Sequence, residues 1–192
     1  MSRLILASAS PRRKELLEQI GVDCLTHPVD IDETVKPNES AKTYVERLAR
    51  EKALAGFERF AKDSDLVIGS DTSVVIDGEI LGKPNDREDA INTLMRLSGR
   101  SHQVMTAVAV ATKRGVQSRV VTTDVSFKDL SLQECEQYWA TGEPADKAGS
   151  YGIQGTAAVF VTGINGSYSS VVGLPLAETA SLLESAGVNL WS

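Results

Sequence analysis

Several short clusters in the chain carry side chains suited to holding phosphate and moving a proton. One is Ser8-Ala9-Ser10-Pro11-Arg12-Arg13. Where a strand runs into a helix N-terminus, unpaired backbone N–H groups and the positive end of the helix dipole attract anions. Two hydroxyls and two guanidiniums stand at this junction, and the guanidinium fork matches phosphate oxygens. Arginine in a first helical turn opposes the dipole unless an anion is near, which favours a ligand over a merely solvated basic turn.

Asp71 follows Val67-Ile68-Gly69-Ser70 and is expected just past a buried strand, at a cleft, as a base or metal ligand. An Asx-turn at the strand end accounts for it equally well. Lys83 lies in Leu81-Gly82-Lys83-Pro84, after the turn Asp77-Gly78. Counting outwards from that turn pairs Ile76 with Glu79 and Thr72 with Lys83, which sets Lys83 beside Asp71. There it would hold the carboxylate ionised or meet a phosphate; the plainer alternative is a cross-strand ion pair worth about 0.2–1 kcal/mol. Lys52 falls on the apolar stripe marked by Val45, Leu48 and Ala49, so its amine must snorkel to an edge or find a partner, phosphate among them. Glu33 ends the acidic run Asp30-Ile31-Asp32-Glu33. It is either part of a solvated loop or one of the one or two carboxylates that commonly hold Mg²⁺ beside substrate phosphates. In the segment from Asp146 to Gly155, glycines frame Tyr151 and Gln154. Glycine permits close approach of a ligand, and a glutamine amide both donates and accepts, as reading a base edge requires. No Walker-type, dinucleotide-binding or nucleophile-elbow motif is present.

The elements that must position these groups form a mixed α/β pattern. A short strand over residues 4–7 precedes a helix opened by Ser10-Pro11 and stopped by Gly21. Further helices are expected over about 40–60 and 86–97, from the capping box Ser131-x-x-Glu134 to Gly142, and from Pro175 to Gly187. Strands are expected at 66–68, at 73–76 with 79–81, at 104–112 with 116–127, and at 157–162 with 167–172 about Asn165-Gly166. Hairpins interleaved with helices imply antiparallel pairing within a mixed sheet.

The chain has 192 residues, 42% of them hydrophobic and 24% charged, which suits one globular domain or two small lobes around a cleft. A net charge of −6 makes a poor general binder of nucleic acid or anionic membrane, so phosphate recognition must be local. Cys24, Cys135, His27 and His102 are too scattered for a disulfide framework or a zinc site and read as structural or surface residues. The start, Met1-Ser2-Arg3-Leu4-Ile5-Leu6-Ala7, is too short an apolar run for a signal peptide, no stretch approaches a membrane span, and the cytoplasm is the expected compartment.

Taken in order, these motifs resemble the Maf family, the septum-formation-inhibitor-like nucleotide pyrophosphatases. The likeness runs through residues 6–13, Asp32-Glu33, residues 48–53, Gly69-Ser70-Asp71-Thr72, residues 81–84, residues 146–155 and Val172-Gly173-Leu174-Pro175. It implies a two-lobed fold like that of the inosine-triphosphate pyrophosphatases, residues 1–192 forming one such domain. It also implies a divalent cation, Mg²⁺ or Mn²⁺, and a homodimer. Within the family, Arg12, Thr72 and Gln154 are similar to the base-selecting residues of the branch acting on dTTP and UTP. The branch acting on 7-methyl-GTP has an aromatic residue in place of Arg12. On this reading Asp71 is the general base, Glu33 and Asp71 hold the metal, with the base and ligand roles exchangeable between them, and Ser8, Ser10, Arg13, Lys52 and Lys83 bind phosphate. A nucleotide-binding regulator of septum formation that need not hydrolyse anything, and a pyrophosphatase for a modified purine, are the rival readings.

Overall fold

In a computed structural model that describes residues 3–190, the apolar segments build one seven-stranded sheet. Met1 and Ser2 of the N-terminal stretch lie outside the described residues. Strand β1 (Leu4–Leu6) is buried and pairs in parallel with β2 (Leu25–Thr26) on one side and β3 (Leu66–Ile76) on the other. At Asp77-Gly78 both residues have positive φ, 52° and 80°, the conformation of a tight hairpin turn, and the chain returns as β4 (Glu79–Leu81). The long hairpin β5 (Ser101–Thr112) and β6 (Gly115–Phe127) extends the sheet from the other edge of β3, and β7 (Val161–Asn165) pairs with β6.

Side chains alternate across this sheet, and the two faces are packed differently. Val67 of β3 and Ala107, Ala109 and Ala111 of β5 meet Val45, Ala49 and Ala53 of one long helix, α2 (Ala41–Phe60). The opposite face carries Ile68, Val74 and Ile76 of β3 with Val104, Val108 and Val110 of β5. It is covered by α1 (Pro11–Gln19), α3 (Arg87–Leu97), α4 (Leu132–Ala140) and α6 (Leu176–Ser185) through Leu16, Leu94, Tyr138 and Leu183. The small residues on the α2 face have a consequence for the site. A Cβ on Gly69 would run into the carbonyl of Ala49 and the amide of Ala53, so only glycine lets α2 sit this close to β3.

Helix starts follow the expected chemistry. The hydroxyl of Ser40 accepts from Thr43 N–H, Asp86 caps α3, and Ser131 with Glu134 completes the capping box of α4. Ser10 occupies the cap position of α1, but its side chain makes no capping hydrogen bond.

Two expectations about strands are corrected. The segments 66–68 and 73–76 are one strand: β5 pairs with β3 without a break from Val67 to Val75, so Gly69 marks close helix approach and not a strand end. The third hairpin does not exist. After a 3₁₀ turn (Thr156–Phe160) and β7, Ser167 accepts from Ser170 N–H and starts α5 (Tyr168–Val172). The local cap outweighs the strand preference of two valines, and Gly166, packed on Thr123, turns the chain away from the sheet edge.

Candidate active site

The strand pairing leaves an opening. On one edge of β3, β1 covers residues 66–68 and β4 covers residues 74–76, while β5 fills the other edge throughout. Residues 69–73 therefore have no strand beside them on the β1–β4 edge. The chain leaving β1 as Ser8 and the chain leaving β4 as Gly82 border this gap from either end, and a cleft of about 1050 Å³ opens over it. Ser8, Ser10, Arg12 and Arg13 line it together with Glu33 and Lys52, Asp71 and Thr72 of β3 form its floor, and Lys83 and Gln154 are exposed at its rim. Every site residue expected from the sequence thus borders one cavity.

Asp71 projects toward α2 from the middle of β3, not from a strand end. Lys52, raised to the sheet by the close packing of Ala49 and Ala53, places Nζ 2.8 Å from Asp71 Oδ1 and 2.8 Å from Glu33 Oε1. The lysine on the apolar stripe meets carboxylates in place of snorkelling. Burial pushes the Asp71 carboxyl above its ordinary pKa, with Lys52 and then Arg13 pulling it back. Glu33 sits on a loop whose backbone is held by α2: Tyr44 donates to the Glu33 carbonyl at 2.8 Å, and Arg47 donates to the Thr34 carbonyl at 3.0 Å while gripping Glu39.

Arg13 reaches inward across the cleft wall. Its Nε donates to the Gly173 carbonyl at 2.8 Å, Nη1 to Ser8 Oγ at 3.1 Å and Nη2 to Thr72 Oγ1 at 3.3 Å. Ser8 Oγ also accepts from Ser10 N–H at 3.2 Å. The start of α1 is thereby fastened to β3 and to the Gly173 turn.

Lys83 is not beside Asp71. The register counted from the turn holds for Ile76–Glu79, Val75–Ile80 and Val74–Leu81, and pairing then stops, so Lys83 is exposed on the cleft rim and Lys52 takes the place expected for it. Gln154 is likewise exposed at the rim, in a turn anchored by residues that sequence reasoning missed. Glu143 accepts from Tyr138 Oη at 2.7 Å and from Thr156 N–H at 2.9 Å, and Tyr138 Oη accepts from Gly152 N–H at 3.2 Å. Their signal was present, an acidic residue beside Gly142 and a tyrosine on the buried face of α4, but each reads as ordinary turn and core.

Among the described residues no group of three or more His, Cys, Asp or Glu is placed to hold a metal. The two carboxylates converging on Lys52 suit a hard cation that takes the rest of its shell from phosphate and water.

An α/β sheet with a gapped edge thus gathers basic groups around a carboxylate in one cleft, a setting suited to a protein that handles phosphate. The fold is similar to that of the Staphylococcus aureus Ham1 protein, with a TM-score of 0.50 and 17% identity over 67% of this chain and 73% of that one. The chain belongs to the Maf family, whose model, described as Maf-like protein, matches residues 3–186. Its relatives include the dTTP/UTP pyrophosphatase of Colwellia psychrerythraea, 56% identical over 96% of this chain and 89% of that protein. The dTTP/UTP pyrophosphatase of Pseudoalteromonas translucida is 58% identical over 93% of this chain and 94% of that protein.

Proposed function

We propose that the chain is a pyrophosphatase that hydrolyses dTTP and UTP to the monophosphate and pyrophosphate, with modified pyrimidine nucleotides as further substrates. The observation carrying the reaction is Asp71, a buried carboxylate held by Lys52 on the floor of a cleft walled by arginines and hydroxyls. The substrate assignment is supported by relatives of that name at 56% and 58% identity.

In this mechanism water attacks the α-phosphorus and gives its proton to Asp71, the bond to the bridging oxygen breaks, and pyrophosphate leaves. Ser8, Ser10, Arg13, Lys52 and Lys83 neutralise the triphosphate and the charge growing on the leaving group. Arg12, Thr72 and Gln154 select the base. Asp71 and Glu33 hold a divalent cation, Mg²⁺ or Mn²⁺, which when bound withdraws charge from the phosphate oxygens. Residues 1–192 act as one unit around the cleft, as a homodimer with a small nucleotide and not nucleic acid as its ligand. No helix among the described residues is long and apolar enough to cross a membrane, and we place the protein in the cytoplasm.

The test is pyrophosphate release from a panel of nucleoside triphosphates with Mg²⁺, beside a chelator control. Metal-dependent release with dTTP and UTP far ahead of purines is expected. Release from a purine alone overturns the roles of Arg12, Thr72 and Gln154; binding without release from any nucleotide overturns the enzyme.

A further inference from the structure

A directed chain of hydrogen bonds runs from the cleft into the core behind Thr72. The register of β3 and β5 sets Thr72 directly opposite Thr106, so the two side chains lie together on the face away from α2. Thr106 is wholly buried, and its Oγ1 lies 2.7 Å from the carbonyl oxygen of Ser170 and 3.0 Å from Thr72 Oγ1. A carbonyl only accepts, so the one hydroxyl proton of Thr106 goes to Ser170, a residue in the short helix α5 whose carbonyl falls among those without an intrahelical partner. Thr106 Oγ1 must then accept from Thr72. Thr72 Oγ1 in turn accepts from Arg13 Nη2 at 3.3 Å. Its proton is committed inward and one lone pair is occupied, so what Thr72 offers the cleft is a lone pair and no proton.

Ser8 has the opposite polarity. Its Oγ accepts from Ser10 N–H and from Arg13 Nη1, which leaves its own proton for an acceptor in the cleft, as a phosphate oxygen is. Arg13 touches both hydroxyls and holds the two polarities side by side.

We propose that Thr106 is a specificity-determining positioning residue: by taking the proton of Thr72, it makes the cleft read a hydrogen-bond donor at that point. Resting on the nucleotide reading above, the donor is the N3–H of uracil or thymine, whereas the bare N3 of cytosine would bring a lone pair against a lone pair. Nothing in Thr72 alone gives this preference, since an unconstrained hydroxyl both donates and accepts.

The experiment compares kcat/KM for UTP and CTP in the wild type, Thr106→Val and Thr106→Ser, with circular dichroism and melting curves as folding checks. Valine keeps the shape but removes the acceptor, so Thr72 can turn its proton to the cleft and the UTP-to-CTP preference should fall about tenfold. Serine keeps the hydroxyl and should keep the preference. If Thr106→Val lowers both substrates by the same factor, Thr106 is merely structural and the proposal is overturned. Should Thr106→Val fail to fold, Thr72→Val serves: loss of about tenfold with UTP and little change with CTP is expected, and an equal loss with both overturns the idea. Wild-type protein that releases pyrophosphate from neither nucleotide overturns the pyrimidine reading itself, a result distinct from an unchanged ratio.

Discussion

Lys52 of α2 and Asp71 of β3 meet at 2.8 Å, Nζ to Oδ1, with each side chain only 12% exposed. The pair exists because Gly69, Ala49 and Ala53 let the helix lie against the strand, and it sets a charge-balanced carboxylate on the cleft floor, the group proposed above as the base. Replacing Asp71 by Asn removes the proton acceptor but keeps the shape. Turnover should fall by about 10²–10⁴-fold, the usual worth of a general base. Nucleotide binding, followed by calorimetry, should survive. A near-normal rate in the Asn variant would remove Asp71 from the base role.

In the proposed mechanism the same pair sets the acid limit of activity. Asp71 accepts a proton only when ionised, so activity is lost as pH falls through its pKa. Burial raises that pKa and Lys52 lowers it. Removing the lysine charge, as in Lys52→Met, should therefore move the acid limb of the kcat/KM profile to higher pH, on top of a general loss from weaker phosphate binding. An acid limb that stays in place would mean that another group titrates.

How much of this was legible beforehand depended on whether a residue's role is local. Ser8 and Arg13 sit in a cluster whose residue types suggest phosphate, Glu33 in an acidic run that suits solvent or a metal, and all of them border the cleft. A cleft is expected from the sequence but its origin is not legible there, because the gap at residues 69–73 comes from β1 and β4 sharing one edge of β3, a matter of pairing between distant segments. Lys83 was misplaced for the same reason: a register counted from a turn holds only as long as the strand does. For Lys52 the periodicity leaves snorkelling or a partner open, because it names a face and not the neighbour on it. Thr106 reads as one more β-branched residue in a core strand, and only its partners reveal the direction of its proton.

Gly69 offers a test of the close approach. In Gly69→Ala the added methyl meets the backbone of Ala49 and Ala53, which cannot turn aside as a side chain would. Overpacking of this kind costs about 1–3 kcal/mol. For a chain of this size that lowers Tm by roughly 2–12 °C. Because α2 must retreat, Lys52 is drawn from Asp71 and turnover should fall as well. A variant with unchanged melting temperature and rate would mean that the helix has room to spare.

Glu143 and Tyr138 hold the turn that carries Gln154, through bonds of 2.7 Å between them and 2.9 Å from Glu143 to Thr156 N–H. Glu143→Ala frees that turn without touching Asp71. The expected result is a KM for dTTP raised about tenfold, the loss of one or two hydrogen bonds, with kcat changed much less. Glu143→Gln keeps an acceptor and should restore most of the affinity. Equal loss of kcat in both variants would place Glu143 in the chemistry instead.

His102 predicts how stability responds to acid. It is 3% exposed, its Nε2 lies 2.6 Å from Tyr151 Oη, and its Nδ1 has no hydrogen-bond partner among the described residues. A protonated ring would bury an N–H with nothing to accept it, and burial lowers the pKa from 6.5 to about 4. Above pH 6.5 neither the folded nor the unfolded chain carries this proton, and His102 has no effect on the balance. Between pH 6.5 and about 4 the unfolded chain takes the proton and the folded chain does not, so stability falls with pH across that window. At about 1.36 kcal/mol per pKa unit, the loss approaches roughly 3 kcal/mol at the lower end. Acidic side chains add their own dependence, so the measurement is a difference: denaturant unfolding of the wild type and of His102→Phe at a series of pH values. The stability of the wild type relative to the variant should be constant above pH 7 and decline steadily toward pH 4. A difference that stays flat would mean that the buried imidazole takes up its proton in the folded state, with an acceptor supplied by rearrangement around Nδ1.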